Sequence, residues 1–160
     1  MKLALTLSVA LLAGSSWAMA HEGHEQDDAA KQKETYALMA AAQQICPVTG
    51  MELDSMGGPI KAKSGEKTIF LCCKSCVGKP IKPEAWKQIQ KNLADAQGIC
   101  PILKKPLPEN AASTVVEGRT VFVCCKSCIE KVKADPEKTF AVIDAQIKKH
   151  VENEKSADKN

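Results

Sequence analysis

The sequence predicts a small α+β chain made of two tandem cysteine modules, each a short β-hairpin leading into a helical turn, separated and flanked by helices. Three observations carry this. Leu71-Cys72-Cys73-Lys74-Ser75-Cys76 is written again as Val123-Cys124-Cys125-Lys126-Ser127-Cys128. Cys46 and Cys100, each followed by proline, precede the first cysteine of their own cluster by 26 and 24 residues. The repeat also reaches back into helix: residues 39–47 align without gaps on residues 93–101 at an offset of 54, most of them identical.

The first twenty residues have the three parts of an export signal: Lys2, an apolar run from Leu3 to Ala13, and the small-residue tripeptide Ala18-Met19-Ala20. We expect cleavage after Ala20 and a periplasmic or secreted product. The apolar run is too short to cross a bilayer and no later stretch is longer, so no transmembrane helix is expected. Without Lys2 the 22 basic residues become 21, against 19 acidic ones, a net charge of +2. Lys104-Lys105 and Lys148-Lys149 are too short for the concentrated basic stripe that a nucleic-acid surface needs, so nucleic acid is not expected as a partner.

Residues 21–28 are polar, acidic and expected to be a disordered leader. His21 and His24 lie there with the spacing of a Cu(II) chelate, read here as part of a solvated leader. Residues 29–97 are expected to form a helix plus the first module. The helix lacks Gly and Pro and sets Tyr36, Met39 and Gln43 on one face, and it runs into the turn Cys46-Pro47-Val48-Thr49-Gly50. Ile60–Ala62 and Thr68–Leu71 flank Ser64-Gly65-Glu66 as a hairpin that exits into the cysteines. A second helix starts with Pro83-Glu84, shows Trp86, Ile89 and Leu93 on one face, and ends at Gly98.

Residues 98–151 repeat the plan, with a hairpin around Gly118 and a last helix capped by Asp135, opened by Pro136 and expected to bury Phe140, Ile143 and Ile147. Residues 152–160 read as a frayed polar tail.

A unit of this size closes little core by itself, so each module is expected to need a staple. Eight cysteines in an exported chain fit a disulfide framework, but the spacing favours metal. Cys46 offers one sulfur from a tight turn. Cys72, Cys73 and Cys76 offer others where a hairpin meets a helical turn, whose free N–H groups, together with Lys74, favour thiolate. Cys100, Cys124, Cys125 and Cys128 repeat the set.

Thiolates select Cu(I), Zn(II) and iron–sulfur clusters; we expect Zn(II) or Cu(I), one ion per module, since four sulfurs would close a tetrahedral zinc site and two or three suit Cu(I). Met51 and Met56 are soft enough to ligate Cu(I) but read as gap-fillers, since the second module has no counterpart. No Ser/His/Asp constellation or phosphate loop occurs, so no enzyme is expected. The two alternatives are an interaction module stapled by zinc or disulfides, and a thiol-disulfide oxidoreductase using Cys73-Lys74-Ser75-Cys76 and Cys125-Lys126-Ser127-Cys128. The latter lacks the βαβ context of such motifs.

Cys46-Pro47-Val48-Thr49-Gly50-Met51 followed by Ile69-Phe70-Leu71-Cys72-Cys73-Lys74-Ser75-Cys76 resembles the YHS and TRASH group of small heavy-metal-binding domains, and Asp135-Pro136-Glu137 after the second cluster is similar to that group as well. The resemblance covers residues 45–86 and 99–140. It implies treble-clef-like modules and roles in heavy-metal trafficking, resistance or sensing; with the cysteine pattern, we expect metal sequestration, delivery or resistance, with a metal-transfer protein as partner. The ligands that it implies are Cys46, Cys72 and Cys76, and Cys100, Cys124 and Cys128. Thr49 and Leu103 stand where the group has a further cysteine; Cys73 and Cys125 are extra and are taken as the fourth thiolates.

Overall fold

The computed structural model describes residues 23–157, with side chains from Ala29 onward. The export signal, His21, the His24 side chain and residues 158–160 therefore lie outside the described residues. Helix α1 spans Gly23–Gln43, the antiparallel pair β1 and β2 spans Ile60–Ser64 and Lys67–Leu71, and α2 spans Pro83–Gln97. The second pair, β3 and β4, covers Ala112–Val116 and Arg119–Val123, followed by α3 at Ser127–Ala134 and α4 at Pro136–Ala157.

Two boundaries differ from expectation. The helix begins at Gly23 rather than at residue 29, so most of the segment read as a disordered leader is helical. At the other end α4 continues to Ala157, through most of the tail read as frayed.

The chain forms two separate two-stranded sheets, one per module, with Ile60 opposite Leu71 and Ala112 opposite Val123. Helices α1, α2 and α4 pack against one another between them. α1 serves both modules: Ala40 joins the core of the first with Phe70, Leu71 and Val48, while Leu38 and Ala42 join that of the second with Val121, Val123, Val132 and Ile143. The hairpins also meet directly, Thr68 N donating to Gly118 O at 2.7 Å. A side chain at Gly118 is excluded, because a Cβ there would lie 2.7 Å from Thr68 Oγ1 and the residue sits at φ +81°. The two modules thus keep separate cores that α1 joins.

The repeat continues further than the cysteines. Gln44 at φ 64° and Gly98 at φ 65° end α1 and α2 in the same tight turn: their N–H groups return to Ala40 O and Ala94 O, and the next N–H closes a three-residue turn, from Ile45 to Gln43 O at 2.8 Å and from Ile99 to Gln97 O at 2.7 Å. From within α2, Asn92 Nδ2 donates to Gln43 O at 3.2 Å. Its counterpart 54 residues on, Gln146 of α4, turns its nitrogen to the Gln97 and Ile99 carbonyls at 2.8 and 3.3 Å. α2 therefore braces the first module as α4 braces the second.

Phe140 was expected inside but is only half-buried, with the Arg119 guanidinium 4.5 Å above its ring; Arg119 is itself paired with Asp144 of α4. Thr139 takes the interior position and satisfies its hydroxyl by donating to Asp135 O at 2.8 Å.

Candidate metal centres

Each site is assembled from a knuckle and a cluster. In the first, Cys46 N donates to Met51 O at 2.7 Å and Gly50 N to Cys46 O at 2.8 Å, folding the chain tightly around the sulfur. In the second, Cys100 N donates to Lys105 O at 2.8 Å and Lys104 N to Cys100 O at 2.9 Å. Lys104 takes φ 57° where Gly50 takes φ 81°. The same turn thus forms although Ile-Leu-Lys replaces Val-Thr-Gly, the hydrogen bonds outweighing the cost of a left-handed lysine.

A buried glutamine at the end of each helix holds the knuckle to the cluster. Gln43 Nε2 donates to Phe70 O at 2.7 Å and Ile45 O at 2.9 Å, and its Oε1 accepts from Phe70 N at 2.9 Å. Gln97 repeats this with Phe122 O at 2.7 Å, Ile99 O at 3.1 Å and Phe122 N at 3.0 Å. Each amide thus acts as an extra strand partner for the residue two before the first cluster cysteine. The sequence signal was present: a polar side chain on an otherwise apolar helix face, identical in both copies.

These contacts bring together sulfurs far apart in sequence. Cys46, Cys72 and Cys76 form one triad and Cys100, Cys124 and Cys128 another, with all sulfurs of a triad within 4.8 Å of each other. The spacing suits a soft cation. Zn–S bonds of about 2.3 Å at tetrahedral angles place sulfurs about 3.8 Å apart, and Cys72 and Cys76 stand 3.7 Å apart. Cys46, Cys72, Cys76, Cys100 and Cys128 are buried and Cys124 is half-buried.

Cys73 and Cys125 lie outside the triads, half-buried on the rim of each, 3.7 Å from Cys76 and 3.3 Å from Cys128. The modules differ beside the sulfurs. Thr49 Oγ1 lies 3.5 Å from Cys72 Sγ, whereas Leu103 holds the equivalent place in the second knuckle. Ser127 Oγ lies 3.2 Å from Cys125 Sγ. The first cluster sits on a single 3-10 turn, Lys74–Cys76, and the second opens the two-turn helix α3.

The environments separate the thiols into acidic and basic sets. Burial opposes ionisation of Cys46, but backbone hydrogen bonds from Cys72, Thr49 and Val48 and the Thr49 hydroxyl outweigh it and bring the thiol down to about 6. Cys100 is lowered in the same way by the backbone of Cys124, Leu103 and Ile102 against the opposing effect of burial. Burial pushes Cys76 and Cys128 up to about 12, reinforced by the neighbouring cysteines. Cys124 is raised by burial and by Cys100. On the rim, hydrogen bonds from Ser127 and Cys128 lower Cys125 to about 7, and Cys76 lowers Cys73.

The first knuckle thus holds a ready thiolate in Cys46 and the second a thiol of lowered pKa in Cys100, beside Cys76 and Cys128, which keep their protons until a cation displaces them. In the reduced, metal-free protein at pH 7, iodoacetamide is expected to label Cys125 and Cys73 first and Cys76 and Cys128 last, read by peptide mass spectrometry. Cys46, acidic but fully enclosed, is expected to react slowly despite its low pKa. Equal labelling of all eight would contradict this ordering.

No helix among the described residues is long and apolar enough to cross a membrane. No protein-family model matches the chain, and no curated protein or solved structure matches it.

Proposed function

We propose that this is an exported soft-metal-binding protein that takes one Zn(II) or Cu(I) per module, for sequestration, delivery or resistance. The observation that carries the proposal is the pair of sulfur triads, each gathered within 4.8 Å from two distant segments. The knuckle, hairpin and helical-turn order supports a treble-clef-like reading of each module in line with the YHS and TRASH resemblance. In this reading the three triad sulfurs hold the ion, and Cys73 and Cys125, each beside one triad sulfur, are not required for loading.

The site mouths support exchange with a protein partner. Lys74, Lys79 and Lys82 flank the first, and Lys104, Lys105, Lys126, Lys131 and Lys133 flank the second, all exposed. Met51, Val77 and Leu103 expose apolar surface in the same loops. Basic and apolar side chains exposed along the same segments suit a metal-transfer protein with an acidic surface.

Protein purified reduced and without chelator is expected to bind two equivalents of Zn(II) or Cu(I), falling to one in Cys46→Ser and in Cys100→Ser. Binding is expected to weaken as pH falls. Cys76 and Cys128 must surrender protons at any neutral pH, and below about 6 Cys46 protonates as well and adds a further competing proton. A chain that binds no metal and carries four disulfides would sink the proposal.

One observation favours a second reading, in which metal is a structural staple for a protein-interaction module: Cys46, Cys72 and Cys76 belong to the first core cluster and Cys100 and Cys128 to the second. A chelator separates the two. A staple loses its helix signal in circular dichroism when the metal is stripped, and a carrier releases the ion and stays folded.

A further inference from the structure

We infer that Cys73 with Cys76, and Cys125 with Cys128, are oxidisable pairs through which a small disulfide ejects the metal from each site. The inference rests on the metal-binding reading and concerns the regulation of that site. In each module one sulfur belongs to two groups at once. Cys128 is a corner of the triad and also the nearest sulfur to Cys125, at 3.3 Å; Cys76 stands in the same relation to Cys73, at 3.7 Å. A bond of about 2.05 Å between the paired sulfurs removes that corner, because a disulfide sulfur is no longer a thiolate.

Competing pairs are less accessible or less favourable. Cys72 is also 3.7 Å from Cys76, but Cys72 is fully buried and Cys76 nearly so, leaving an oxidant no sulfur to reach first. Cys124 and Cys125 are adjacent in the chain, 4.0 Å apart, and would close only a strained ring. The rim cysteine combines partial exposure with a short path to a ligand sulfur; Cys124 is half-buried as well but is itself a triad sulfur, and Cys128 lies nearest to Cys125, at 3.3 Å.

The chemistry balances as two successive exchanges. The Cys125 thiolate attacks one sulfur of a low-molecular-weight disulfide RSSR, forming Cys125–S–S–R and expelling RS⁻. The Cys128 thiolate then attacks the Cys125 sulfur, forming Cys125–S–S–Cys128 and expelling the second RS⁻. RSSR gains two electrons, the protein pair loses two, and the protons of the protein thiols go to solvent and to the departing thiolates. The cation, left with two triad sulfurs, passes to water. Reduction by a thiol reverses the change and restores the site.

The test loads the reduced full chain with Zn(II), adds oxidised glutathione, follows released zinc with a chromogenic chelator and maps disulfides by peptide mass spectrometry. Release should track formation of Cys73–Cys76 and Cys125–Cys128 bonds. The zinc-loaded double variant C73S/C125S should release its metal at least about tenfold more slowly, while Cys125→Ser alone should protect only the second site.

Release from the double variant at the unmodified rate would overturn the inference, as would bonds mapped to Cys46–Cys72 or Cys72–Cys76. A double variant that takes up no zinc overturns it too, since the rim sulfurs would then belong to the minimum site. If the unmodified chain binds no zinc, the metal reading fails by itself. The oxidised metal-free chain then still decides the pairing, which is wrong if Cys125 and Cys128 do not join.

Discussion

Replacing Gln97 with leucine is expected to lower the stability of the metal-free protein by about 4 kcal/mol, because it strands the Phe122 N–H and carbonyl at about 1–3 kcal/mol for each buried group left unpaired and removes one of the two donors to the Ile99 carbonyl. All three now pair with the Gln97 amide, at 3.0, 2.7 and 3.1 Å. Leucine fills nearly the same volume, so the loss belongs to the hydrogen bonds and not to a cavity. Urea unfolding measures it, and a loss under about 1 kcal/mol would mean that water replaces the amide. Metal titration of the same variant should show the second site weakened and the first intact. The amide is what links the helix leading into the Cys100 knuckle to the strand leading into Cys124.

Gly58→Ala is expected to disable the first site selectively and to cost about 3 kcal/mol. A Cβ there would lie 2.5 Å from Leu53 O and 2.7 Å from both Leu71 O and Cys72 O. All three neighbours are backbone, which cannot rotate away as a side chain would. Relief requires moving the chain at Cys72 itself, so the triad opens. Zinc stoichiometry should fall from two to one, with Cys100, Cys124 and Cys128 still loaded. A variant with both sites loaded and unchanged stability would show that the loop carrying Gly58 yields without the strand.

Much of this arrangement was legible in the residues. The duplicated Leu-Cys-Cys-Lys-Ser-Cys pattern and the two Cys-Pro turns marked the knuckles, hairpins and clusters, because turns and short strands are set by local chemistry: proline after the cysteine, glycine at left-handed positions, alternation beside Gly65 and Gly118. Pro83 and Asp135-Pro136 marked the starts of α2 and α4 for the same reason. Lys104 shows the limit of that local reading, since its turn forms without the glycine that would have signalled it.

The sequence by itself thus determined the elements and the eight candidate sulfurs, Cys46, Cys72, Cys73, Cys76, Cys100, Cys124, Cys125 and Cys128, all drawn from two repeats. The family resemblance already implied the ligand sets; the tertiary structure gathered them into two buried-to-half-buried triads and set Cys73 and Cys125, expected as fourth thiolates, on the rim. Spacing along the chain cannot say which of two adjacent cysteines turns inward at the end of a strand; the pleat and the Gln43 and Gln97 bridges decide it. The sharing of α1 between both cores and the contact of Thr68 with Gly118 were equally invisible, because they join surfaces that neither repeat can bury alone.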